Sequence, residues 1–176
     1  MARAARGRGR ERRSGGSAPP AQADGIHGRA AAARRGADRA LGGRPLKTEQ
    51  NAALVRHIFD AFARKEGFAL RDCFAEDAVW HVPGASLMAG TYRGRTEIFR
   101  FLASLPKQTN GTYGSRLIDV LASEDRAAAL YRAFGQRAGR SLDIEQLLLF
   151  RIRDGLVTEV LALPNDLAAF ERFWAS

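Results

Sequence analysis

AVWHVPGASLMAGTYRGRTEI, residues 78–98, is the stretch from which the rest of the chain can be read. A short apolar run carries Trp80 and His81 and stops at Pro83-Gly84, a pair that ends strands and starts turns. Strand alternation puts Trp80 and Val82 on one face, with Val79 and His81 on the other. After the turn the period changes. GRTEIFRFLASLP, residues 94–106, holds Ile98, Phe101, Leu102 and Leu105 at helical spacing, and Pro106 is expected to close that helix.

Working outward towards the amino terminus, FALRDCFAEDA (68–78) reads as a short helix ending in an acidic turn. Before it, TEQNAALVRHIFDAFARKEG (48–67) reads as a longer amphipathic helix. Thr48 is its candidate cap, Glu49 lies in the first turn where the helix dipole favours an anion, and Gly67 is its expected stop. Leu54, Ile58, Ala61 and Phe62 define its apolar face, and His57 falls at the border with the charged face.

Towards the carboxyl terminus the period is two. Residues 112–122, 126–136, 142–152 and 156–163 read as strands, separated by SED, RAGR and RDG. Asp154-Gly155 between two apolar runs is a strong hairpin signal. PNDLAAFERFWAS then reads as a closing helix capped by Asn165 or Asp166, with Leu167, Phe170 and Trp174 packing inward. Helices first and a meander second make the fold class α+β.

Charge divides the chain. Residues 1–47 hold 12 Lys and Arg against 3 Asp and Glu, whereas residues 48–176 hold 16 of each. The whole net charge of +9 therefore sits in an Arg-, Ala- and Gly-rich segment with almost no large apolar side chains. Such a segment cannot bury enough surface to offset its ordering entropy, so residues 1–46 are expected to be a disordered basic tail and 47–176 the folded domain. Its arginines admit phosphate contacts, targeting or an acidic partner. Gly and Pro interrupt them and no aromatic interleaves them, so nucleic acid is not the expected partner. No stretch approaches the roughly 18 apolar residues of a membrane span. Cys73 is the only cysteine and there are three histidines, so neither a disulfide, a metal set nor a cofactor is expected, and the cytoplasm is the default compartment.

FAEDAVWHVPG (74–84), AGTYRG (89–94) and RDGLVTEV (153–160), in this order and spacing, resemble the SnoaL-like branch of the nuclear-transport-factor-2-like superfamily, to which ketosteroid isomerases also belong. The likeness spans about residues 48–176. It implies a cystatin-like α+β barrel: a cone-shaped, curved antiparallel sheet wrapped around a long first helix, enclosing an apolar pocket, usually in a homodimer. It also implies either a cofactor-independent isomerase or cyclase moving a proton on an apolar carbonyl compound, or a noncatalytic ligand-binding or dimerisation module. The isomerase base falls here on Val82, and the oxyanion-hole tyrosine falls near Ile58 or Phe59. Neither position can exchange a proton, so that specific mechanism does not transfer.

The meander offers other candidates. Continuing the Asp154-Gly155 turn without interruption pairs Ile152 with Val157, Phe150 with Glu159 and Gln146 with Leu163. If Arg132 pairs with Gln146 across RAGR, one apolar wall carries three polar residues: Arg132, Gln146 and Glu159. A carboxylate desolvated there would have a raised pKa, which suits a general base. Glu159 is thus the first catalytic candidate and His81 the second. Trp80, Arg132, Gln146, Phe150, Tyr92, Ile58 and Phe62 are the expected pocket residues for a small apolar ligand, with Tyr113 and Asp119 as further polar groups.

Overall fold

A computed structural model describes residues 46–176. The expectation for residues 1–45 lies outside the described residues. The elements are α1 (Lys47–Ala63), α2 (Gly67–Asp72), β1 (Phe74–Val82), β2 (Gly90–Arg93), α3 (Gly94–Gln108), β3 (Gly114–Ala122), β4 (Arg126–Arg137), β5 (Arg140–Arg153), β6 (Leu156–Pro164) and α4 (Leu167–Trp174). The strands form one curved, unclosed sheet in the order β2-β1-β6-β5-β4-β3. Its pairings are antiparallel except that β1 runs parallel to β6.

Both long hairpins close through two-residue turns with positive φ at both positions, Ala138-Gly139 and Asp154-Gly155. This is the mirror-image turn whose twist matches that of the strands. The first turn corrects the expected register. Because only Ala138 and Gly139 form the loop, Arg132 pairs with Glu145, and Tyr131 pairs with Gln146. The second turn behaves as expected for two pairs, Arg153 with Leu156 and Ile152 with Val157. Then Thr158 is an extra residue, and Arg151 meets Glu159 while Phe150 meets Val160. A bulge inserts one residue and reverses which face everything beyond it occupies.

The consequences run along both strands. Val157 and Val160 are both fully buried. Glu159, Leu161 and Leu163 point to the outer face instead of the inner one. On β4 the inward set is Ala129, Tyr131 and Ala133, all buried, whereas Arg132 and Phe134 are exposed.

Boundaries of three helices also move. The first backbone bond of α1 runs from Gln50 N to Leu46 O (3.1 Å), so Leu46 holds the cap position and Thr48 lies within the helix. Its end is turned by Lys65 at φ 61°, not by Gly67, which opens α2. The short helix stops at Asp72, and residues 74–77 extend into β1, where Phe74 pairs with Val157. Pro106 lies inside the last turn of α3 rather than after it.

The helices cover the concave face. α1 packs against β3 and β4, α3 against β1 and β2, and α4 against β5 and β6. Asn51 Nδ2 donates to Ser123 O (2.9 Å), tying α1 to the β3–β4 turn. Asp166 Oδ1 accepts from Ala169 N (2.8 Å), the cap expected from the sequence, which contributes about 1 kcal/mol. The far end of α4 is pinned by arginines. Arg137 donates to Phe173 O (3.3 Å) and Ala175 O (2.6 Å), and Arg140 donates to Ala175 O (2.8 Å). Helix-end carbonyls have no intrahelical partner, and these guanidinium groups satisfy them. Gly84, at φ +100°, lets the 83–89 loop pass against Glu171, whose Oε1 accepts from Ala85 N (2.5 Å). A side chain at residue 84 would collide with that carboxylate. No described helix is long and apolar enough to cross a membrane.

Candidate functional site

Between the helices and the concave face lies a cavity that offers the centres of water molecules about 70 Å³. At 10–15 Å³ per water by this measure, that is space for about five, roughly the bulk of one substituted aromatic ring. α1 supplies Ile58, Phe59 and Phe62 to its wall, and α3 supplies Phe101, Leu102 and Leu105. β1 contributes Trp80 and Val82, β5 contributes Gln146 and Leu148, and α4 contributes Phe170 and Trp174. Tyr113, Ser115 and Tyr131 complete the polar share.

Aromatic contacts hold this wall. Trp80 stacks with Phe74 (centroids 6.2 Å) and tilts against Phe101 (5.9 Å). On the other side Tyr131 meets Phe59 (5.2 Å), and Trp174 meets Phe173 (4.7 Å) and Tyr113 (5.8 Å). Offset and edge-on pairs of this kind add to the gain from burial and fix ring orientation.

Among the described residues that line the cavity, none is Asp, Glu, His, Lys or Arg. The titratable side chains nearest to chemistry there are two phenols. Burial pushes the Tyr113 hydroxyl up to about 12, an effect the neighbouring Tyr131 hydroxyl partly offsets. Burial drives Tyr131 well above the ordinary tyrosine range. At neutral pH both are therefore protonated hydrogen-bonding groups.

The expected site residues divide between the two faces of the sheet. Trp80, Gln146, Ile58 and Phe62 meet in the cavity wall, as do Val82 and Phe59. Phe150 is buried on the inner face but belongs to the core beside the cavity, not to its lining. Tyr92 stacks on Phe101 (4.2 Å) and donates to Met88 O (2.9 Å), so it packs behind the wall. Asp119 is exposed and accepts from Val120 N.

Glu159, His81 and Arg132 lie outside the cavity. The Thr158 bulge sends Glu159 outward, where Arg151 Nε approaches one carboxylate oxygen (3.4 Å) and His81 Nε2 the other (3.5 Å). His81 Nδ1 is 3.1 Å from Thr91 Oγ1. The two catalytic candidates are thus neighbours, but on the wrong side of the sheet for the cavity. Arg132 forms a bidentate pair with Asp143 (2.5 and 2.6 Å) on the exposed face, and it holds that carboxyl below its ordinary range. The proposed Glu159–Arg132 partnership does not form.

Tyr131 is the cavity residue that the sequence marks least, whereas Trp174 packs inward as its place on the closing helix suggests. Tyr131 stands between Ala129 and Ala133 on the inner face. That large-among-small pattern marks it once the hairpin register is correct. Among the described residues no three His, Cys, Asp or Glu side chains gather to hold a metal ion.

Residues 55–160 match the SnoaL-like domain family. Uncharacterized protein Rv0034 of Mycobacterium tuberculosis (strain H37Rv) is 37% identical over 123 residues, 69% of this chain and 94% of that protein. The structure of Bal32a, from a soil-derived mobile gene cassette, is similar at 35% identity and a TM-score of 0.71, covering 73% of this chain and 98% of that one. A Xanthomonas campestris protein with a cystatin-like fold is similar at 29% identity and a TM-score of 0.67, covering 70% and 97%. The likeness read from residues 74–84, 89–94 and 153–160 and the open, helix-lined cone thus agree with these comparisons: the chain belongs to the SnoaL-like family.

Proposed function

We propose that this protein binds a small apolar molecule in the cavity between α1, α3, α4 and the concave face of the sheet. The observation that carries this reading is the cavity's composition: aromatic and aliphatic walls with a few polar groups, the usual make-up of a small-molecule site. Binding is favoured over catalysis by a carboxylate. Glu159, the general base the sequence suggests, is separated from the cavity by the sheet itself, and the lining phenols stay protonated. A proton transfer in the cavity would have to use groups of the ligand or a water that enters with it.

A second reading concerns the outer face. Leu121 on β3, Leu147 and Leu149 on β5 and Leu163 on β6 are 36–68% exposed, and Leu121, Leu149 and Leu161 line a groove of about 410 Å³. Contiguous exposed apolar surface of this kind marks an interaction site. The occupant proposed is a second copy of the chain. The groove carries both signs, with Arg126 and Arg151 beside Glu159, so a two-fold copy can set opposite charges together.

Isopropylbenzene titrated calorimetrically tests the cavity. Ala162→Leu, which fills space beside Leu148, is expected to weaken its binding at least about tenfold. Glu159→Gln should leave binding within about twofold, and a large loss there would move the site to the outer face. In sedimentation, Leu149→Lys is expected to convert a dimer to monomer, while a wild-type monomer at high concentration would rule the dimer out.

The phenols give a pH test. All three tyrosines have pKa values raised above 10 by burial. A raised value favours the neutral form in the folded state, so that stabilisation is complete below pH 10. It is lost as pH rises towards about 12, the Tyr113 value. Phenolate absorbance should therefore appear only above pH 10, with unfolding following. A tyrosine ionising below that point would contradict the protonated pair in the cavity wall.

A further inference from the structure

Three N–H donors in the cavity wall have no acceptor among the described residues: Trp80 Nε1, Trp174 Nε1 and Gln146 Nε2. Their residues are 6%, 1% and 2% exposed, and all three line the cavity. They come from β1, α4 and β5, so no single local irregularity accounts for them. Native interiors satisfy nearly all buried polar groups, because an unmet donor loses its bonds to water and gains nothing in return. Three such donors around one cavity describe a surface built to meet something that accepts.

The charge of that something is also constrained. No lining side chain is cationic or anionic, so a carboxylate or an ammonium would enter unpaired. Burying an uncompensated charge is far more costly than burying a dipole. The protonated hydroxyls of Tyr113 and Tyr131 add donor capacity without adding charge.

We infer that the ligand is an uncharged molecule rich in hydrogen-bond acceptors, such as a ketone, ester or ether on an apolar frame of about one ring, held by Trp80, Gln146 and Trp174. This rests on the ligand-binding reading above and goes beyond it by assigning the ligand's polarity and charge.

Three probes of nearly one shape separate the possibilities: isopropylbenzene, acetophenone and benzoate, each titrated calorimetrically into the full chain at neutral pH. Acetophenone is expected to bind about tenfold tighter than isopropylbenzene, the factor for one hydrogen bond to an otherwise unmet buried donor. Benzoate is expected to bind roughly a hundredfold more weakly than acetophenone, or not measurably. The acetophenone preference should fall towards one in at least one of Gln146→Leu, Trp80→Phe and Trp174→Phe, with isopropylbenzene binding retained as the control for folding. Equal binding of the two neutral probes, or a preference that survives all three substitutions, overturns the acceptor inference and leaves the cavity reading standing. Tightest binding by benzoate overturns the assignment of a neutral ligand. Failure of both neutral probes to bind overturns the cavity reading together with the inference.

Discussion

The extra residue Thr158 in β6 decides which side of the sheet carries which chemistry. Before it, Val157 faces the core; after it, Val160 does so again, and both are fully buried. Without the bulge, alternation would turn Glu159 into the apolar interior and Val160 out to solvent. Burying a carboxylate costs several kcal/mol unless it is paired, whereas burying a valine is favourable. The bulge thus removes an unfavourable burial and places Glu159 between Arg151 and His81 on the outer face. β1 has an irregularity of its own at the same level, its register against β6 shifting between Phe74 and Val79. Trp80 lies opposite Val160, and both are buried.

With the charges outside, the interior is left to aromatic rings, aliphatic chains and neutral donors. α4 completes it. Asp166 starts this helix, Arg137 and Arg140 hold its end, and Glu171 ties it to the 83–89 loop. Trp174 is in this way fixed against Tyr113 and the cavity by contacts that are themselves polar and peripheral. Polar groups that need water or partners do the fastening at the rim, and the groups that line the cavity carry no net charge.

Much of this was legible in the sequence. Periodicity located all four long strands of the meander and both long helices, because those segments bury one face and expose the other. Alternation separates Trp80 from His81 but does not say which of them faces inward, whereas Gln146 sits on the apolar face that it shares with Ile144 and Leu148. What was not legible were two one-residue events. Ala138-Gly139 forms a tighter turn than RAGR suggested, since alanine carries no signature of positive φ. Thr158 forms a bulge that no residue type announces. Each event reverses a face, and together they put Arg132 and Glu159 on the opposite side from the one expected. Tyr131 is hidden for the same reason, since the shifted register sets it, and not its neighbour Arg132, opposite Gln146. The extension of β1 back to Phe74 was hidden because its partner is the distant β6 and not a hairpin neighbour.

We propose that ligand recognition belongs to the neutral interior and not to the charged outer face. The chain has two tryptophans, so its indole N–H resonances report on Trp80 and Trp174 alone. In a nitrogen–proton correlation spectrum recorded as acetophenone is added, at least one of these two signals or the Gln146 side-chain amide should move in a saturable way, with the His81 ring and Thr91 unchanged. If instead His81 and Thr91 shift while both indoles and Gln146 stay in place, recognition lies on the outer face and the account is wrong.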